Sequence, residues 1–299
     1  MHKDHMGLAI TYSLLAAFFY TVMGVLVKVS EQTLPNEIVV FYRQLFSLLL
    51  FTPIFFIKMN VGRKKSYHTR RFPLYLVRAF SSLAATYCLF YAIAKLPLVD
   101  AILLSYTRPL FLPIVAYLWR GKRWSKNVWF GLIIGFLGVL LILKPTERVF
   151  DTATLVGLAA GLFGAIAFIS IRRMTKTESS EKILFYYLLL SLPITALPVV
   201  GVWQKLNMQQ VWMMLGIGLV AMLYQLMMTK AYQRGKAYKV ASLLYSTVIF
   251  AAIFDWWMGK QFLDYVSVIG IVLILIGSVF SLVKMSKDKK SSGEFLDKN

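Results

Sequence analysis

Residues 98–119 read LVDAILLSYTRPLFLPIVAYLW, an almost wholly apolar stretch interrupted near its centre by Arg108-Pro109. About 20 mostly apolar residues in a helix are enough to cross the hydrocarbon core of a bilayer, which is about 30 Å thick. Nine further apolar stretches of this length fill most of the chain, at residues 7–29, 36–57, 72–94, 127–143, 152–171, 183–202, 210–229, 237–258 and 263–283. The sequence therefore predicts an all-α membrane protein with ten transmembrane helices.

The positive charges are distributed unevenly over the predicted loops. Of the 33 lysines and arginines, 24 lie in one set of segments: the N-terminus, the turns near residues 58–71, 120–126, 172–182 and 230–239, and the tail from Lys284. The positive-inside rule places this set, and with it both termini, in the cytoplasm. Topology thus accounts for the net charge of +20, and its spread over many turns argues against a nucleic-acid partner.

The chain repeats itself in two halves. The matched positions, 139 residues apart, are Tyr106-Thr107 with Tyr245-Ser246, Gly131 with Gly270, and Gly138 with Gly277. We assign the repeats to residues 7–145 and 152–284, followed by a disordered cytoplasmic tail at residues 285–299. Five spans per repeat is an odd number, so the halves insert with opposite orientations. Such inverted repeats are typical of secondary transporters, which bind their substrate between the halves.

Particular segments of the chain also resemble a known family, the drug/metabolite transporter superfamily of the ten-span type with two EamA-like repeats. The resemblance rests on residues 91–101 (YAIAKLPLVDA), on Pro109-Leu110-Phe111, and on the glycines Gly131, Gly135, Gly138, Gly270 and Gly277. It implies a bundle in which the third, fourth, eighth and ninth spans line a central cavity, and the first, second, sixth and seventh gate it. Relatives carry amino acids, nucleotide-like metabolites such as S-adenosylmethionine, sugars or drugs.

Three arginines lie inside predicted spans, where a charge costs at least about 2.5 kcal/mol unless it faces the bundle interior or a wet cavity. Arg108 is the deepest, whereas Arg43 and Arg78 lie nearer the outer and cytoplasmic ends. In the repeat alignment none of the three faces another cation, so the cavity should be lopsided and positive. The planar fork of arginine matches a carboxylate or phosphate. We therefore expect Arg108 to anchor an anion; Arg43 and Arg78 are either secondary contacts or ties between helices.

Aromatic and amide side chains complete the predicted binding site. Tyr106 and Tyr245 are matched in the two repeats and are predicted to form opposite cavity walls. Further candidates, each also interpretable as packing or an interface anchor, are Tyr87, Tyr91, Tyr42, Tyr187 and Gln225. Arginine, tyrosine and amide groups together suit an amphipathic metabolite with a carboxylate, such as an amino acid or an S-adenosylmethionine-like compound.

Two acids near the outer ends of spans, Asp255 and Asp100, are candidates for proton coupling or are ordinary interfacial residues.

No catalytic or metal-binding motif is present in the sequence, so no enzyme activity and no cofactor are expected. We predict a secondary active transporter of a small molecule in the inner membrane. The alternatives are a flippase or scramblase of lipid-linked substrates and a multidrug exporter. The Gly131-x-x-x-Gly135 spacing allows close helix approach, either against the fourth span or in a homodimer.

Overall fold

The computed structural model describes residues 6–61, 69, 71–120, 126–143, 151–235, 240, 243–244, 246–258 and 265–291. Within these residues the regular secondary structure is entirely helical. The helices are α1 (Met6–Ser30), α2 (Asn36–Val61), α3 (Phe72–Lys95), α4 (Leu98–Ser105), α5 (Arg108–Arg120), α6 (Lys126–Leu143), α7 (Thr152–Met174), α8 (Ser180–Val199), α9 (Met208–Arg234), α10 (Ser246–Trp257) and α11 (Tyr265–Ser291).

Seven helical segments in the described residues are long and apolar enough to cross a membrane. They are Gly7–Ser30, Asn36–Ile57, Phe72–Lys95, Leu98–Leu118, Thr152–Met174, Ser180–Val199 and Met208–Arg234. The other three predicted spans contain shorter apolar stretches, Trp129–Gly138, Ser246–Trp257 and Val268–Gly277. The chain is therefore a multi-pass helical membrane protein.

The last helix extends further than the sequence pattern indicates. It continues to Ser291, through residues that the sequence analysis assigns to the polar tail. Each residue added to an existing helix gains one backbone hydrogen bond, and lysine and methionine are good helix formers. The loss of hydropathy after residue 283 consequently does not end the helix, and residues 292–299 lie outside the described part of the chain.

The fourth predicted span is two helices, not one. The helix α4 ends at Ser105 and α5 begins at Arg108, because Pro109 has no N–H with which to continue the hydrogen-bond ladder to the carbonyl of Ser105. Arg108 uses that free carbonyl: its Nε donates to the Ser105 oxygen over 3.2 Å. The break thus occurs at the one charged residue in the centre of the span.

Helices of the first half pack on helices of the second half in matched pairs. α3 packs against α7 and α1 against α9; α2 packs against both α8 and α9, and α3 also contacts α8. Likewise α4 and α5 contact α7, while α10 contacts α1. In the sequence repeat α1 corresponds to α7, α2 to α8, α3 to α9, and α4 with α5 to α10. Exchanging each helix for its counterpart turns every contact named above into a contact of the same set.

The glycines of the fifth predicted span pack against α11. A Cβ atom on Gly138 would lie 2.6 Å from the carbonyl oxygen of Gly270, and one on Gly277 would lie 2.7 Å from the Cα of Gly135. The two helices are therefore in backbone contact, which only glycine permits. A Cβ on Gly135 would also collide with the side chain of Leu110, so the Gly131-x-x-x-Gly135 face packs against the fourth span as well as against α11.

Replacing Gly277 by alanine should separate α6 from α11 and lower the free energy of unfolding by about 1–3 kcal/mol, the usual cost of overpacking. The midpoint of thermal unfolding in detergent measures the effect. Gly201→Ala is the matched control, because a Cβ there meets nothing within 4 Å. Equal midpoints for the two variants would contradict the proposed contact.

Candidate functional site

A central cavity lies between the two halves of the bundle, and seven helices from six of the predicted spans contribute to its walls. Its lining residues are Tyr20, Met23, Arg43, Ser82, Ala85, Thr86, Leu89, Phe90, Ser105, Arg108, Ala160, Gly164, Ala167, Phe168, Ile171, Tyr224, Gln225 and Met228. The third, fourth and eighth predicted spans contribute, as the family resemblance implies. The first, second and sixth, expected to act as gates, contribute as well.

Arg108 lies at the break between α4 and α5 and projects into the central cavity. Besides the bond to Ser105, its terminal nitrogen Nη2 lies 3.4 Å from the hydroxyl of Tyr20. Its guanidinium carbon is 4.6 Å from the centre of the Tyr106 ring and 5.8 Å from that of Tyr20. Neutral oxygens and ring faces therefore stabilise this cation, and it contacts no carboxylate in the described part of the chain.

Three tyrosines surround this guanidinium. The ring of Tyr20 packs edge-on against Tyr106, with ring centroids 5.5 Å apart. It is tilted against the ring of Tyr224, with centroids 4.7 Å apart. Thr247 donates a hydrogen bond of 2.9 Å to the Tyr106 hydroxyl, which fixes the ring beneath Arg108. Tyr20 was not among the residues predicted from sequence. Its position in the middle of an apolar span, where contact with lipid would leave the hydroxyl without a partner, is the signal that could have identified it.

Arg43 is the second cation of the central cavity and is only 2% exposed. Its Nη1 donates to Gln44 Oε1 over 3.1 Å, and its guanidinium carbon lies 5.8 Å from the centre of the Phe90 ring. Its Nε is buried and has no hydrogen-bond partner among the described residues. Gln44 in turn donates to the hydroxyl of Tyr187 over 3.2 Å. Arg43 thus has donor capacity left over on a cavity wall.

Arg78, the third predicted cation, is not among the residues that line the central cavity. It is fully buried between α3 and α8, where Nη1 donates to the carbonyl of Ile183 over 3.1 Å. Its guanidinium carbon lies 4.8 Å from the centre of the Tyr187 ring. In this conformation Arg78 ties two helices together.

The structure brings only some of the other predicted residues to the cavity. Gln225 lines it, and its Oε1 has no hydrogen-bond partner in the described part of the chain. Five predicted tyrosines, Tyr42, Tyr87, Tyr91, Tyr106 and Tyr187, are not among the lining residues, although the ring of Tyr106 lies against Arg108. Tyr42 packs against Phe46, and Tyr91 is 36% exposed. Tyr245 lies outside the described residues.

Glycines on α7 make room for the break in the fourth span. A Cβ on Gly161 would contact Thr107 Oγ1 and lie 3.0 Å from the carbonyl oxygen of Leu104. One turn further on, a Cβ on Gly164 would lie 3.6 Å from Arg108 Nε, an ordinary van der Waals distance. The backbone of α7 therefore approaches the α4–α5 joint most closely at Gly161.

The joint between α3 and α4, at the end predicted to face outside, is held by groups of opposite charge. Lys28 donates to the carbonyls of Ile93 and Leu96 over 3.0 and 2.5 Å, at the C-terminal end of α3. Asp255 accepts from the N–H of Val99 over 2.7 Å, at the N-terminal end of α4. Each charge matches the sign that the helix dipole favours. Asp100 lies in the first turn of α4, where a negative charge is favourable for the same reason.

Glu31 is a further acid at this end that the sequence analysis did not select. It lies in the turn after α1, and its Oε1 is buried without a hydrogen-bond partner among the described residues. Burial, reinforced by the negative charge of Glu37 and opposed by Lys28, raises its pKa from 4.5 to about 8. This carboxyl can therefore bind a proton near neutral pH.

With this geometry established, the sequence comparisons identify the class of protein. The EamA-like transporter family matches residues 7–144 and again residues 151–283, and the chain belongs to that family. The resemblance drawn from the sequence is confirmed. A solved crystal structure with 16% sequence identity has the same fold, with a TM-score of 0.63 over 94% of this chain and 98% of that one.

The chain is also similar to named transporters. The pseudopaline exporter CntI of Pseudomonas aeruginosa is 30% identical over 295 residues, which cover 97% of this chain and 100% of that protein. A riboflavin transporter of Vibrio cholerae is 30% identical over 58% of this chain and 59% of its own length. An S-adenosylmethionine uptake transporter of Rickettsia bellii is 22% identical over 66% and 68%. The chain is accordingly a small-molecule membrane transporter.

Gly161→Ala should push α7 away from the α4–α5 joint and lower the free energy of unfolding by about 1–3 kcal/mol. Gly164→Ala, on the same helix, should cost less than about 1 kcal/mol, because its Cβ would make only ordinary contacts with Arg108. Thermal unfolding of the two variants in the same detergent provides the comparison. A larger loss of stability in Gly164→Ala than in Gly161→Ala would contradict this account of the helix contact.

Glu31 should make stability depend on pH. Because its pKa is raised in the folded protein, the folded state holds a proton that the unfolded state releases. Its contribution is fully present below about pH 4.5 and is lost as the pH rises to about 8. Glu31→Gln should therefore raise the unfolding midpoint near pH 8.5 and leave it unchanged near pH 4.5. A midpoint difference that is the same at both pH values would refute this assignment.

Proposed function

We propose that this protein is a secondary active transporter that binds a small, carboxylate-bearing metabolite in the central cavity and carries it across the inner membrane by alternating access. Amino acids and S-adenosylmethionine-like compounds are the substrate classes we favour. The single observation that carries the proposal is Arg108, a cation in the interior of the bundle that faces the cavity and, among the described residues, contacts only neutral groups.

A carboxylate is the chemical complement of this site. Removing a guanidinium from water is costly, and neutral oxygens and ring faces compensate only part of that cost. A carboxylate that enters the cavity can accept two parallel hydrogen bonds from the arginine fork. Further polar groups of the cavity lining are available for contacts with the substrate: the hydroxyls of Ser105 and Tyr20 and the amide of Gln225.

Alternating access requires that contacts at the two ends of the cavity break in turn. At the end predicted to face outside, Lys28 and Asp255 hold the α3–α4 joint. At the cytoplasmic end, Thr69 donates to Glu178 over 2.8 Å and Ser180 to Gln233 over 2.8 Å. Each end is thus held by a few hydrogen bonds, and the two halves pack in the same way. The outward-open and inward-open states can therefore have similar free energies.

Asp255 is the first candidate site for a coupling proton. A protonated Asp255 loses the charge that stabilises the N-terminal end of α4, which weakens the hold on the outer joint. Asp100, one residue from Val99 in the same turn, is the second candidate. Proton coupling would appear as acidification of the liposome lumen during uptake.

The proposal is tested by counterflow in liposomes that contain the purified protein. A labelled panel of amino acids, S-adenosylmethionine and riboflavin is offered to the wild type and to Arg108→Ala. We expect saturable exchange of a carboxylate-bearing solute that falls by about tenfold or more in the variant, since a charged hydrogen-bond partner is lost.

Two further variants make the result specific. Arg108→Lys keeps the charge but not the planar fork, and should recover only part of the exchange. Arg234→Gln removes an arginine outside the cavity, near Tyr12, and should exchange as well as the wild type. Exchange that survives in Arg108→Ala would remove the anion anchor from the proposal. Exchange of lipid-linked compounds alone would favour a flippase.

A further inference from the structure

The charge of the central cavity bears on how many anionic groups its substrate carries. Two of its lining residues, Arg43 and Arg108, are cations, and none of its lining residues in the described part of the chain is an acid. Neither arginine has a carboxylate partner among the described residues. The two positive charges of the cavity wall therefore have no neutralising partner among the described residues.

Both guanidiniums retain capacity for a ligand. Arg43 is 2% exposed, and its Nε has no partner among the described residues. The longest hydrogen bond of Arg108, 3.4 Å to the Tyr20 hydroxyl, is weak by its length. A solute with one carboxylate would neutralise one arginine and leave the other buried and uncompensated, which is costly in a low-dielectric interior.

Two aromatic rings beside the cations are already engaged by them. The ring of Tyr106 lies 4.6 Å from the guanidinium carbon of Arg108, and the ring of Phe90 lies 5.8 Å from that of Arg43. A ring face that binds an arginine is not free to stabilise a cationic group of the substrate. A permanently cationic centre in the cavity would lie beside two arginines, with no acid among the described lining residues. It would therefore be repelled.

We propose that the transported solute carries two anionic groups, one bound at Arg108 and the other at Arg43. An amino group between them is compatible, because Gln225 is a lining residue and its buried side-chain carbonyl oxygen has no hydrogen-bond partner among the described residues. Dicarboxylates and acidic amino acid derivatives fit this description. The inference rests on the proposed function, in that it takes the central cavity as the substrate site.

The test compares each diacid with its own monoamide, so that only one charge changes. Purified full-length protein in detergent is titrated with the straight-chain dicarboxylates from succinate to suberate and with the monoamide of each. Binding is measured as the rise in unfolding midpoint, because a ligand that binds only the folded state stabilises it. At the length that spans both arginines, the diacid should bind about tenfold or more tightly than its monoamide.

Variants assign the preference to the two residues. In Arg43→Gln and in Arg108→Gln the ratio of the two dissociation constants should fall to near one, and in Arg234→Gln it should stay as in the wild type. A ratio near one at every chain length in the wild type overturns the inference, whether or not the variants fold. If monoamides then still bind and Arg108→Gln abolishes that binding, the single-carboxylate site stands. If no carboxylate binds the wild type, the proposed substrate class falls as well.

Discussion

A guanidinium in the interior of an apolar bundle has to be stabilised without bulk water, and much of the centre of this structure follows from that constraint. Pro109 leaves the Ser105 carbonyl without a backbone donor, and Arg108 Nε takes that place. The same break turns the arginine onto the faces of Tyr20 and Tyr106. Gly161 lets α7 close around the broken span. The charge, the helix break and the cavity are consequently one feature of the fold.

This arrangement has a direct consequence for binding. The neutral partners of Arg108 and Arg43 hold the cations in place, but they compensate only part of the lost hydration. An anion that enters the cavity therefore gains more free energy than it would at a hydrated surface. Such a ligand drives a conformational change only through its different affinity for the two states.

The sequence predicts features that depend on local composition, such as the helices and their breaks. It does not predict which way a side chain points within the bundle. The apolar stretches and the glycine spacing mark the helices, and Pro109 marks the place where one of them breaks. In sequence, however, Arg78 looks much like Arg43: each is a single cation within an apolar stretch. Only packing shows that Arg78 bonds to the Ile183 carbonyl, whereas Arg43 faces the cavity. Similarly, the spacing of Tyr87 and Tyr91 predicts a shared face without indicating where that face points.

The two halves share their packing scheme but not their charge. The three arginines deep within the predicted spans, Arg43, Arg78 and Arg108, belong to the first half. The second half adds Gly164, Tyr224 and Gln225 to the cavity. A ligand held by Arg43 and Arg108 would therefore be ionically bound to one half and would touch the other through neutral groups. Neutral contacts are exchanged at a lower free-energy cost than ion pairs in a low-dielectric interior. The second half could thus rock past a ligand anchored on the first, opening the cavity to either side while the ionic bonds remain intact.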